Sequence, residues 1–189
     1  GTMIPGHGLH KGRAAEQAVA RMFQASGYEA ERRGLGKPGL PDLILSVAGH
    51  PLPLCVSVKN VNGMRISHVV LGRGSAWRAW VEAVEVAEYR VMSPGLQRVA
   101  PCLIFWATPA GGGWWMVLPR TFWSILSLHT GNDYPQHLIV EHQTDRPAWS
   151  ALPLGIFLSY CAPDHLLKAL SPGSVVMYEG PYPPSPTPW

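Results

Sequence analysis

The segment PDLILSVAGHPLPLCVSVKN, residues 41–60, holds two apolar stretches, Asp42 to Val47 and Leu52 to Lys59, joined by AGHP. Both are short, rich in Leu, Ile and Val, and bounded by Gly and Pro, which marks strands. The AGHP connection reads as a hairpin or a tight turn. Side chains alternate across a strand, so Ser57 and Lys59 share one side of the second stretch while Val56 and Val58 face another layer. Neighbouring strands hold facing side chains about 5 Å apart. That spacing brings the carboxylate of Asp42, at the start of one strand, toward the ammonium of Lys59, at the end of the next.

Working outward, Lys11 to Ser26 forms an amphipathic helix in which Ala15, Val19 and Met22, with Ala18 and Phe23 beside them, recur at helical spacing. Gly27 stops it. YEAERR alternates as a strand, and GLGKPGLP is a loop. Beyond the central pair, Asn60 to Gly74 is a polar, Gly-containing loop. SAWRAWVEAVEVAEYRV is a second helix with Trp77, Val81, Val84 and Tyr89 near one face. PCLIFWAT and WWMVLP, separated by PAGGG, make another strand pair. The order predicts an α/β fold, a central mixed sheet flanked by helices, with a C-terminal extension. In that extension TFWSILSL and PDHLLKAL read as short helices, the latter with Pro163 in its first turn, and LGIFLSY reads as a strand. EGPYPPSPTPW is Pro-rich and extended or disordered.

The expected organisation is an N-terminal segment at 1–10, a core at 11–118, an extension packed on the core at 119–179 and a Pro-rich tail at 180–189. Gly1 and Thr2 ahead of Met3 read as a cloning remnant. With 189 residues, 47% hydrophobic and 14% charged, the chain can bury a substantial core. No apolar run reaches the roughly 20 residues of a membrane span, which predicts a protein of the cytoplasm with no membrane partner. Cys55, Cys102 and Cys161 are odd in number and apolar in setting, so they read as buried core thiols and not as a disulfide frame or zinc site. A net charge of +3 does not by itself establish a nucleic-acid partner.

Metal-assisted phosphodiester hydrolysis needs hard oxygen ligands converging on one ion and a group that activates water or stabilises developing charge. Asp42 and Lys59 are placed for it, and Glu16 lies at the border of the core beside the Val19 and Phe23 stripe. The set of Glu16 on a leading helix, PD at 41–42 and SVK ending at 59 resembles the PD-(D/E)XK nuclease superfamily. The order KGRAAEQAVARMFQASGYEAERRG, PDLIL, VSVKN, helix and strand pair is most similar to Holliday junction resolvases of the archaeal type, over roughly residues 11–118. The resemblance implies a restriction-endonuclease-like core and a Mg²⁺- or Mn²⁺-dependent endonuclease acting on branched DNA as a homodimer. In it, Asp42 and Glu16 hold metal, and Lys59 orients or activates the attacking water.

Two departures stand beside this. The acid two residues before the lysine is Ser57 here, and RRGLGKPG lacks the serine that many resolvases carry there. Some restriction endonucleases of the superfamily also read S-x-K and take the missing acid from the following helix, where this chain offers Glu82, Glu85 and Glu88. Those glutamates equally form a solvated helix face. Lys11, Arg13, Arg32, Arg33 and Lys37, with Arg65 and Arg73 in the next loop, are candidate phosphate contacts. Trp114 and Trp115 read as core or interface anchors. A duplex or flap nuclease of the same superfamily, and a DNA-binding or structural module that has lost catalysis, remain open alternatives.

Overall fold

The computed structural model describes residues 7–33, 41–52, 54–92, 100–108, 112–120, 140–141 and 149–169. Helix α1 (His7–Ala25) precedes β1 (Glu29–Arg32), β2 (Leu43–Val47), β3 (His50–Pro51) and β4 (Leu54–Lys59). Helices α2 (Ile66–Leu71) and α3 (Ser75–Met92) follow, then β5 (Ala100–Ala107) and β6 (Gly113–Pro119). β7 (Val140–Glu141), β8 (Trp149–Pro153), α4 (Leu154–Tyr160) and α5 (Pro163–Ala169) complete the described elements. Seven strands lie in the order β1-β2-β4-β5-β6-β8-β7, with β3 paired to β2. The β4–β5 pair is parallel and the other pairs are antiparallel, so the sheet is mixed. A parallel neighbour requires a crossover, and α3 supplies it.

Helices cover both faces. Ala15, Val19 and Phe23 of α1 join Leu154 and Phe157 of α4 and Leu166 of α5 over Val56, Val58, Cys102 and Ile104. On the other face, Val69 of α2 and Ala76, Trp77, Trp80, Ala83 and Val84 of α3 cover Leu103 and Phe105. β5 is buried along nearly its whole length because both faces carry helices, which is why PCLIFWA shows no polar alternation. Ser57 and Lys59, at half-buried positions of β4, therefore lie on the α3 side, opposite Val56 and Val58. The three cysteines are buried in the core, as expected. Burial, and then the neighbouring Cys55, push the Cys102 thiol above its ordinary value. No described helix is long and apolar enough to cross a membrane.

Three expectations are corrected. LGIFLSY is helix α4, not a strand: Leu154 and Phe157, three residues apart, are its buried side chains, and the strand lies just upstream in WSALP. The segment 60–74 contains helix α2, which at 6 residues is too short to show a helical period. The sheet also runs beyond the core expected at 11–118, because β7 and β8 of the C-terminal extension join its far edge. Pro163 starts α5 as read. TFWSILSL, the GLGKPGL loop and the Pro-rich tail lie outside the described residues.

The β2–β3 turn carries an avoidable local cost. Ala48 has φ 48 and Gly49 φ 77, yet only Gly and Asn occupy the left-handed region readily. Ala48→Asn is expected to stabilise the chain by about 0.5–1 kcal/mol, read as a higher denaturant midpoint at unchanged slope.

Candidate functional site

Asp42 is held at the mouth of β2 by three main-chain contacts. Its amide donates to the Val56 carbonyl at 2.8 Å, and its own carbonyl accepts from the Arg33 amide at 2.9 Å. Its carboxylate Oδ2 accepts from the Val58 amide at 2.7 Å. The contacts to Val56 and Val58 bracket Ser57, so the carboxylate is fixed beside that position on β4. Pro41, which has no N–H, leaves Asp42 as the first donor to β4.

Lys59 closes β4 opposite Phe105, and its Nζ lies 3.5 Å from Glu82 Oε1 of α3. The Glu82 side chain is 61% exposed, so this pair is worth little to stability; its value is positional. From the opposite face, Glu16 of α1 meets Arg32 of β1. Oε2 accepts from Arg32 Nε at 3.1 Å and lies 3.0 Å from Nη2, which fixes the side chain of Glu16 at the edge of the sheet.

These groups act on one another electrostatically. Burial pushes the Asp42 carboxyl above its ordinary range and the Val58 hydrogen bond opposes that shift. Glu16 and Glu82 raise it further, while Lys59 lowers it. Two helices on opposite faces thus deliver a carboxylate each to the strand end that holds Asp42 and Lys59. Three carboxylates against one ammonium and one guanidinium leave an excess of negative charge. This donor set suits a hard divalent cation in kind, being all oxygen and anionic. Among the described residues no three of His, Cys, Asp and Glu stand together in ligand geometry, since Glu16 turns to Arg32 and Glu82 to Lys59.

The remaining candidates are scattered. Glu85 is exposed on α3, and the side chain of Glu88 lies outside the described residues, as does Lys37. Arg13 is exposed on α1. Arg33 is exposed and lies 3.7 Å from Glu31. Lys11 donates to the Asn62 side chain, which ties the start of α1 to the segment after β4. Arg65 and Arg73 are exposed on either side of α2. Arg32, a candidate phosphate contact by sequence, serves Glu16 here. Trp114 forms an edge-on pair with Trp106 at 5.3 Å and packs on the α1-side core, while Trp115 packs on the α3-side core. The Val58 amide and the Glu16–Arg32 pair escaped sequence reading. A main-chain donor leaves no residue signature, and a helix-to-strand ion pair leaves no regular spacing.

No family model matches the chain, and no curated protein matches it in sequence.

The environment of Asp42 has a stability consequence with a definite sign. A folded pKa above the unfolded 3.8 gives stability that is complete below about 3.8 and lost as pH rises through the folded value. Charged Asp42 therefore destabilises the metal-free fold near neutrality. Asn can still accept the Val58 bond, so Asp42→Asn in EDTA should melt above the parent at pH 7. The gap should close toward pH 4, as followed by calorimetry.

Proposed function

We propose that this chain is a divalent-metal-dependent DNA endonuclease with a restriction-endonuclease-like core, acting on branched DNA as Holliday junction resolvases do. One observation carries the reading. A desolvated carboxylate, Asp42, is clamped to β4 beside Lys59, with Glu16 and Glu82 brought to it from opposite faces of the sheet. Mg²⁺ or Mn²⁺ held at Asp42, with Glu82 or Glu16, would polarise the phosphate and lower the pKa of a bound water. Lys59 projects from the same side of β4 as Ser57 and is placed to steady the attacking water or the charge growing on phosphorus. Lys11, Arg65 and Arg73 lie on the segments flanking this end and would bind backbone phosphates without reading sequence.

A second reading, a DNA-binding module without catalysis, draws support from a specific feature. Ser57 replaces the usual acid, and both outer glutamates are already paired with cations. Incubating the protein with labelled four-way junction, linear duplex, flap and single-stranded DNA in Mg²⁺ or Mn²⁺, and then in EDTA, tests both. Metal-dependent cutting concentrated on the junction is the expected result. Preference for duplex or flap moves the substrate to another branch of the superfamily, and binding with no cutting under any metal favours the silent module. Two symmetric cuts at a junction call for two active sites related by a two-fold axis. Light scattering at cutting concentrations should therefore report a dimer, and a monomer would argue for a nuclease that nicks one strand.

A further inference from the structure

We propose that residues 60–74, between β4 and α3, form the element that selects branched over linear DNA. Its exposed apolar side chains would meet unstacked base faces at the branch, while Arg65 and Arg73 would hold the flanking phosphates. The inference rests on the nuclease reading above and names the substrate feature that the same site end would recognise.

The segment starts at the residue after Lys59 and so leaves the sheet at the end that carries Asp42 and Lys59. Among the described residues four large hydrophobic side chains are exposed, and three of them are here: Val61 at 52%, Val70 at 37% and Leu71 at 59%. Their exposure is held in place. Met64 and Val69 are buried in the α3-side core, and the Met64 carbonyl accepts from the Thr108 amide at 2.8 Å and from its Oγ1 at 3.2 Å. His68 N donates to the Arg65 carbonyl at 3.1 Å, and Arg65 N donates to His68 Nδ1 at 3.4 Å. Gly72, at φ 65, then ends α2 directly after Leu71. With Val69 anchored inward, the last turn of α2 presents Val70 and Leu71 outward on a fixed support.

Charge decides between two coverings for this face. Residues 60–74 contain no acidic side chain, while Arg65 and Arg73 are both exposed. An isologous contact between two copies would set each arginine pair against its own kind. Phosphates complement the same pair. Intact duplex offers no accessible base face to Val70 or Leu71, because stacking must first be broken. A branch point exposes such faces without that cost, so an apolar tip between two phosphate contacts would favour the junction specifically.

The test compares parent, Val70→Ser/Leu71→Ser and Arg65→Gln/Arg73→Gln by fluorescence anisotropy in EDTA, on a four-way junction and a linear duplex of matching sequence. All four positions are exposed, so melting temperatures should stay near the parent's. The serine pair is expected to lower the junction-to-duplex affinity ratio about tenfold, through weaker junction binding alone. The glutamine pair should weaken both substrates alike and reduce the slope of log Kd against log salt by about 1 per arginine. A parent that prefers the junction and a serine variant that keeps that preference would overturn this inference and leave the nuclease reading standing. A parent with no DNA affinity overturns both. Loss of the dimer in the serine variant, with the affinity ratio unchanged, assigns the face to a second copy and also overturns the proposal.

Discussion

Asp42→Asn is expected to lower metal-dependent cleavage of a four-way junction by about 10³-fold or more, while its affinity for the junction in EDTA stays within about threefold of the parent. A loss of that size corresponds to about 4 kcal/mol of transition-state stabilisation, within reach of removing one directly placed charged group. Affinity should survive because the phosphate contacts proposed for Lys11, Arg65 and Arg73 do not involve this carboxylate. Loss of chemistry can be told from loss of fold, since the same substitution relieves a half-buried charge and should raise the metal-free melting temperature at pH 7. Activity and stability would then move in opposite directions, which general disruption does not produce. Lys59→Ala should also abolish cleavage, but it removes the counter-charge that favours ionised Asp42, so its stability at pH 7 should fall. Near-parental cleavage by Asp42→Asn would remove this strand end from consideration as the active site.

The central strand pair was legible because its information is local. Asp42 and Lys59 sit at the ends of short Val- and Leu-rich runs bounded by Pro, Gly and Asn, and strand alternation places Ser57 and Lys59 on one side without further knowledge of the fold. The two long helices were legible for the same reason, although the buried face of α3 includes Trp80 and its alanines while Val81 is only half-buried. Short elements were not. LGIFLSY, seven largely apolar residues, fits either a buried strand or two turns of helix, and the choice is made by tertiary packing: Leu154 and Phe157 are buried, and the Phe157 ring meets Phe23 of α1 with centroids 6.5 Å apart. Helix α2 rests on burial of Met64 and Val69 under α3 and on a left-handed Gly72, a tertiary arrangement in which a Gly-containing segment folds back. At the site, the partner that orients Asp42 is a main-chain amide, and Arg32 reads as a free basic residue until α1 brings Glu16 beside it.

Glu82→Gln is expected to cost about 10²-fold in cleavage, and Glu85→Gln within about threefold, because only the first of these glutamates is carried to the site. Both are exposed, but Glu82 lies 3.5 Å from Lys59 and acts on the Asp42 carboxyl, whereas Glu85 stands one turn further along α3. A serine hydroxyl at position 57 is a neutral oxygen and a poor substitute for a carboxylate on Mg²⁺, so an active enzyme needs a second anionic ligand from elsewhere. Glu82 can supply it by releasing Lys59, an exchange made cheap by the solvent exposure of that pair. Ser57→Glu in the Glu82→Gln background should recover about tenfold, since position 57 lies on the Lys59 side of β4 and is bracketed by the contacts that hold Asp42. The new carboxylate should also crowd Asp42 with negative charge, lowering the melting temperature in EDTA and enlarging its rise on adding Mg²⁺, as binding to the folded state alone requires. Parental cleavage by Glu82→Gln sinks the relocated ligand. A parent that never cuts, converted to a nuclease by Ser57→Glu alone, would instead mark Ser57 as the substitution at which this fold lost its chemistry.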